Sequence, residues 1–239
     1  MHNSHGLDQL NYNRPLEDDR RKMLGGVIFD FDGVIVDSHS AHMQAWKTFL
    51  LSKGRVAGDA DLSFVREGAK REEILRHFLG ELTPQQVACY GAEKDKLFQV
   101  RASELKFVPG FAEFLLQLDA IGLPSAVASS GSRGRVERGL HSFNIRDRFR
   151  AVVTGNDVER GKPDPDLFLL AAQILQVDAS QILVCEDAVA GVLAAKRAGM
   201  KCVGIAAIGR ETLLEQAGAD LVVNDFSHIR LEDVTRLFA

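Results

Sequence analysis

From residue 108 onward, short apolar runs alternate with segments whose apolar positions recur at helical spacing. Phe111 to Ile121 is amphipathic and is followed by the apolar run Ala126 to Ala128; the helix-like stretch RVERGLHSF then leads to AVV at 151 to 153. The rhythm continues with DLFLLAAQIL and Ile182 to Cys185, with AGVLAAKRAG and Cys202 to Ala206, and with RETLLEQAG and Leu221 to Val223, before a last helix. Strands that are apolar throughout, each followed by a helix, predict βαβ units and a parallel sheet covered on both faces. Val27 to Phe29 predicts one more strand of that sheet. Right-handed crossovers would align all the strand C-terminal ends along one edge, where open α/β sheets bind ligands.

Residues 39 to 107 break the alternation. AHMQAWKTFLLSKG, REEILRHFLG and PQQVACYGAEKDKLFQVRASEL carry helical periodicity and no strand pattern. The expected fold is therefore α/β, a Rossmann-like doubly wound parallel sheet core with a second, smaller all-helical cap domain. The core takes residues 23–38 and 108–239, the cap residues 39–107, and residues 1–22 form a polar tail. The crossings fall near Ser38 to Ser40 and near Lys106 to Pro109, close to strand ends, which predicts a hinged lid. The single tryptophan, Trp46, is expected to pack inside the cap.

Composition narrows the picture. The chain has 239 residues, of which 46% are hydrophobic and 26% charged, enough for one large domain or two smaller ones. A formal net charge of -4 provides no basic footprint for nucleic acid, so a compact anionic ligand needs a local cation. No apolar run approaches the ~18 residues of a membrane span, and the opening stretch lacks the apolar segment of a signal peptide. Cys89, Cys185 and Cys202 are too scattered for a metal site and odd in number for a disulfide framework, so a cytoplasmic setting is expected. A monomer or weak dimer is the expected state.

Candidate chemistry sits where strands end. In GGVIFDFDGVIVDS, Asp30 and Asp32 are two residues apart at the end of a strand and so share one face, while Gly33 permits a tight turn. Two carboxylates there are costly unless a cation or hydrogen-bond donors compensate them. Ser129 and Ser130 follow the next strand and offer hydroxyl and backbone N–H groups to an anion. Lys162, in GKPDPDLF, precedes a helix start marked by Pro163, Asp164 and Pro165. Glu186 and Asp187 come directly after ILVC. A set of hard oxygen donors favours Mg²⁺, which offsets carboxylate repulsion and bridges to phosphate oxygens. Phosphoryl transfer is the chemistry such a set serves, with one carboxylate as a shielded nucleophile and the other as acid and base.

The order FDFDGVIVDS, VASS, GKPDPDLF, VCEDAVAGVLAAKRAGM resembles the haloacid dehalogenase superfamily, in the branch with a helical cap between its first and second motifs. Within that branch it is similar to β-phosphoglucomutases and small-metabolite phosphatases, and the likeness runs from residue 26 into the 220s. The resemblance implies Asp30 as nucleophile and metal ligand, and Asp32 as acid/base with its main-chain carbonyl on the metal. It implies Ser129 as the phosphate-binding hydroxyl, Lys162 as the screening lysine, and Glu186 and Asp187 as the remaining metal carboxylates. The dehalogenases themselves lack a carboxylate at the position of Asp32, so the likeness favours phosphate chemistry. In the cap, HMQAW implies that His42 couples lid closure to the site. Arg71 in GAKREEIL matches an arginine that grips the far end of a substrate, although Glu72 and Glu73 offer it surface ion pairs instead. Lys94 is a third cap candidate.

The expected activity is a Mg²⁺-dependent phosphatase of a small phosphorylated metabolite, a sugar phosphate or similar compound. The alternative is β-phosphoglucomutase activity, in which a bound sugar phosphate takes the place of water. A signalling receiver also places a phosphorylated aspartate, Mg²⁺ and a lysine at a sheet edge, but it is shorter and has no helical insertion after its first strand.

Overall fold

A computed structural model describes residues 23–67 and 70–239. The expected polar tail lies outside the described residues. Six strands form one parallel sheet: β1 (Gly26–Phe29), β4 (Ser125–Ser129), β5 (Ala151–Thr154), β6 (Ile182–Glu186), β7 (Lys201–Ile205) and β8 (Leu221–Val223), in the order β5-β4-β1-β6-β7-β8. Every residue of β1 is buried, because it is a central strand with helices above and below. Strand alternation divides its side chains between two cores. Val27 and Phe29 pack with Phe111 and Phe114 of α4 (Phe111–Ala120), Val136 and Leu140 of α5 (Arg133–Ser142) and Val234 of α9 (Leu231–Thr235). Ile28 faces the other way, onto Leu167 and Phe168 of α6 (Asp166–Leu175), Val192 of α7 (Val189–Arg197) and Leu214 of α8 (Glu211–Gln216).

The chain lays β4 and β5 on one side of β1 and then returns to lay β6, β7 and β8 on the other. This reversal of direction opens a crevice beyond the C-terminal end of β1, the place where doubly wound sheets bind ligands. Asp30 lies at that point, its amide donating to the Cys185 carbonyl at 3.0 Å and prolonging the β1–β6 ladder by one step.

Between β1 and β4 lie α1 (His39–Ser52), α2 (Arg71–Leu79) and α3 (Pro84–Gln99). They close on a separate small core of Trp46, Phe49, Leu50, Leu62, Ile74 and Leu75, which makes this segment a helical cap. Trp46 meets Phe49 edge-on at 5.9 Å, as expected of a packing residue, and also borders the cavity described below. Two details differ from the sequence reading. The 84–105 segment is not one helix, since α3 stops at Gln99 and a 3-10 turn, Ala102–Glu104, follows. The 39–107 segment also contains a strand: β3 (Lys106–Phe107) pairs antiparallel with β2 (Val36–Asp37). A two-residue ribbon is too short to register as periodicity, yet it fastens the outgoing and returning connections side by side.

Among the described residues, no helix is long and apolar enough to cross a membrane.

Candidate active site

All the residues singled out from sequence line one cavity between the sheet edge and the cap: Asp30, Asp32, Ser129, Ser130, Lys162, Glu186 and Asp187 from the core, and His42, Arg71 and Lys94 from the cap. At its floor the Lys162 ammonium donates to Asp30 Oδ1 at 2.5 Å, to the Ala128 carbonyl at 3.3 Å and to Glu186 Oε1. The other oxygen of Glu186 accepts the amides of Asp187 (2.7 Å) and Ala188 (2.8 Å) where α7 begins. Both oxygens of Glu186 are thus occupied, and the side chain lies against Gly191, where a Cβ would overlap its carboxylate. Glycine at that position lets the helix start press onto the charge.

Burial sets the protonation chemistry. Desolvation, opposed by Lys162 and reinforced by Glu186 and Asp32, pushes the Asp30 carboxyl up to about 7. Burial raises Glu186 and Asp187 as well, against the pull of Lys162 on the first and of His39 on the second. Burial would lower the Lys162 ammonium, but Asp30 and Glu186 outweigh it and hold its pKa above the ordinary lysine value. Burying these carboxylates in a dry pocket therefore raises their pKa values by more than the nearby cations lower them.

Asp32 stands in a different environment. Arg135 grips it with two parallel bonds, 2.8 Å to Oδ1 and 2.5 Å to Oδ2, while Ser38 Oγ donates to Oδ1 at 2.7 Å. His42 Nε2 lies 3.0 Å from the same oxygen. Burial alone would raise this carboxyl, yet Arg135 and then His42 hold it well below the usual carboxylate range. Lys94 Nζ is 2.6 Å from His42 Nδ1. The ionised Asp32 carboxylate can only accept, so the ring proton sits on Nε2, facing it, and Nδ1 is left to accept from Lys94. Burial, followed by the Lys94 charge, brings His42 down to about 3 and keeps the ring neutral. Burial together with Arg135 brings Lys94 down to about 7. The imidazole stacks on Phe98 at 4.2 Å, and the Arg135 guanidinium lies 5.4 Å from the same ring.

Ser129 Oγ accepts the Gly131 amide at 3.1 Å, which leaves its proton to donate, and Ser130 Oγ is buried at the cavity wall with no hydrogen-bond partner. An oxyanion would satisfy both. Arg71 does not pair with Glu72 or Glu73. Its guanidinium meets Asp95 of α3 at 2.8 and 2.9 Å, and Asp95 in turn accepts from Ser132 Oγ at 2.9 Å, joining cap to core.

Four contributors escaped the sequence reading: Ser38, His39, Asp95 and Arg135. Arg135 stands 103 residues from the carboxylate it grips, inside an arginine-rich helix start where nothing local distinguishes it. Ser38 and His39 lie beside the first motif, so their nearness to it was the one available signal.

The donor set suits a divalent ion. Lys162 engages one oxygen of Asp30 and His39 one oxygen of Asp187, so each carboxylate keeps an oxygen for a cation. Among the described residues no three His, Cys, Asp or Glu side chains are spaced as a ready-made cage. Free carboxylate oxygens at an open site are the donors a hard divalent cation takes, with water or phosphate oxygens filling the remaining positions.

The family model described as haloacid dehalogenase-like hydrolase matches residues 27–205. The chain is 34% identical over 210 residues to validoxylamine A 7'-phosphate phosphatase of Streptomyces hygroscopicus subsp. limoneus, covering 85% of this chain and 94% of that protein. It is 36% identical over 216 residues to β-phosphoglucomutase of Bacillus subtilis (strain 168), covering 86% and 92%. Among solved structures, β-phosphoglucomutase of Clostridium difficile superposes with a TM-score of 0.80 at 25% identity, over 90% of this chain and 97% of that one. With a match across three quarters of its length, a sheet reversal that opens at Asp30 and its four motifs gathered there, the chain belongs to the haloacid dehalogenase-like hydrolases.

Proposed function

We propose that this protein is a Mg²⁺-dependent phosphatase of a small phosphorylated metabolite, a sugar phosphate or similar compound, working through a covalent aspartyl phosphate on Asp30. The observation that carries this reading is the buried Lys162 bridging Asp30 and Glu186 while Asp32, held apart by Arg135, Ser38 and His42, lines the same cavity. Two carboxylates two residues apart thus occupy different environments, which suits them to different tasks.

In the first half-reaction a carboxylate oxygen of Asp30 attacks phosphorus, and the bond from phosphorus to the substrate oxygen breaks. Asp32 supplies the proton that the departing alkoxide needs, so it must enter the step protonated. In the second half-reaction water attacks the same phosphorus, Asp32 takes its proton, and the bond to Asp30 breaks to release inorganic phosphate. Lys162 offsets charge on Asp30 and the phosphoryl oxygens, and Ser129 and Ser130 donate to those oxygens. A divalent ion held by Asp30, Asp187 and the Asp32 carbonyl would neutralise developing charge on the phosphoryl group. Glu186, expected among the metal carboxylates, has both oxygens taken by Lys162 and the amides of Asp187 and Ala188 and would reach the ion only through water.

Asp32→Ala is expected to lower kcat by roughly 10² to 10⁴ on substrates with a poor leaving group. The loss should be much smaller on p-nitrophenyl phosphate, whose leaving group needs no proton, and equal losses on both would contradict the acid role. Incubation with excess EDTA should abolish phosphate release, and Mg²⁺ added back should restore it.

The cap contacts favour one second reading. His42 reaches Asp32 and Asp95 reaches Ser132, so cap and core meet beside the cavity that Asp30 lines, an arrangement that would shelter an acyl phosphate from water. Together with the likeness to β-phosphoglucomutases, this supports interconversion of hexose phosphates. Feeding β-glucose 1-phosphate with a trace of the 1,6-bisphosphate separates the two. The phosphatase reading expects stoichiometric free phosphate, whereas glucose 6-phosphate formed without phosphate release would replace it with the mutase.

A further inference from the structure

His39 is the first residue of α1, at the point where the chain leaves the core for the cap. Its Nε2 lies 2.8 Å from Asp187 Oδ2, and the two side chains are only 26% and 10% exposed. The pair closes over Gly33, which has φ of +75°; a Cβ there would overlap Asp187 Oδ2 and stand 2.7 Å from His39 Nε2. Three separate pieces of chain therefore converge on one carboxylate: the turn after β1, the connection after β6 and the opening turn of the cap helix. A neutral imidazole with its proton on Nε2 is sufficient to donate this bond.

We propose that His39 is a positioning residue for the metal carboxylate: by engaging Oδ2 it fixes the rotamer of Asp187, turns the other oxygen to the ion, and fastens the metal site to the first turn of the cap. This inference rests on the reading of Asp187 as a metal ligand. A free carboxylate would have to give up side-chain rotation when it binds the ion, and one already held by His39 has given it up beforehand. Hydrogen-bond partners of metal-binding carboxylates typically account for about 10- to 100-fold in metal affinity. Because His39 belongs to α1, ion binding and cap position become linked, so that each biases the other.

The test uses the full chain without substrate. Mn²⁺ binding is followed by the electron paramagnetic resonance of the free ion, and Mg²⁺ binding by calorimetry, in wild type, His39→Ala and His39→Gln. His39→Ala is expected to bind both ions about 10- to 100-fold more weakly. His39→Gln, which keeps an N–H donor at comparable reach, should recover most of that loss. Circular dichroism and a single cooperative thermal transition in the metal-free proteins should show all three folded at the assay temperature, which separates positioning from folding. Affinity of His39→Ala within twofold of wild type, or His39→Gln as weak as His39→Ala, would overturn the inference and leave the phosphatase reading standing. Failure of the wild-type protein to bind either ion would overturn both.

Discussion

Asp30→Asn is expected to reduce phosphate release by at least about 10³-fold, because an amide cannot form the acyl phosphate on which turnover depends. The replacement is nearly isosteric, and Lys162 keeps Glu186 and the Ala128 carbonyl as partners, so the buried ammonium is not orphaned. The variant should therefore unfold at close to the wild-type temperature and still bind substrate. Two measurements decide the matter. Steady-state kinetics should show the loss in kcat rather than KM, and brief incubation with labelled substrate followed by acid quenching should trap a phosphorylated protein in wild type but not in the variant. Activity above a few per cent of wild type would remove Asp30 from the nucleophile's role.

Lys162→Met should damage both turnover and stability. The side chain is 2% exposed and neutralises two carboxylates that are themselves 8% and 1% exposed. Removing one partner from a buried ion cluster costs about 3–5 kcal/mol, because the remaining charges stay buried without compensation. The pH dependence has a definite sign. With the lysine gone, Asp30 and Glu186 lose the influence that opposes their raised pKa values, so the folded state holds protons that the unfolded state releases above about pH 4. Stability of the variant must then fall as pH rises from about 5 to 8, and acidification should recover part of the loss. Urea titrations of the metal-free variant at pH 5 and pH 8 measure this. Equal destabilisation at both values would show that the methionine disturbs packing and that the carboxylates are not the cause.

The linked set of Asp32, His42 and Lys94 explains why the cap matters to a site built on the core. His42 and Lys94 come from different cap helices, α1 and α3, and the Lys94 contact at Nδ1 lies opposite the ring N–H presented to Asp32. Arg135 approaches the same carboxylate from the core helix α5. The resulting arrangement keeps Asp32 ionised at rest, whereas the proposed chemistry requires it to carry a proton. Substrate entry must therefore loosen at least the two-pronged contact with Arg135.

Much of this was legible in the chain alone. The apolar strands, the helices that follow them and the helical interruption after β1 could be read because parallel strands buried on both faces leave unbroken apolar runs and amphipathic helices leave a 3.6-residue period. The acidic and serine motif residues could be read because they sit at or just beyond the ends of β1, β4 and β6, where backbone geometry and sequence spacing are locally coupled. Lys162 lies eight residues past β5 and was read from its place before a helix start. The β2–β3 ribbon was not legible, since two residues carry no period. Nor were the partners of Arg71, where Asp95 on another helix won over the neighbouring Glu72 and Glu73.

By itself, then, the order of residues determined the layered architecture, the edge on which the chemistry gathers and the identity of the acidic residues there, because those properties depend on interactions within a few positions. The tertiary structure alone decided which cation meets which carboxylate. Arg135 lies on Asp32, Lys162 bridges Asp30 and Glu186, and His39 holds Asp187. Electrostatic energy in a dry pocket depends on separation in space, which chain folding sets independently of separation in sequence.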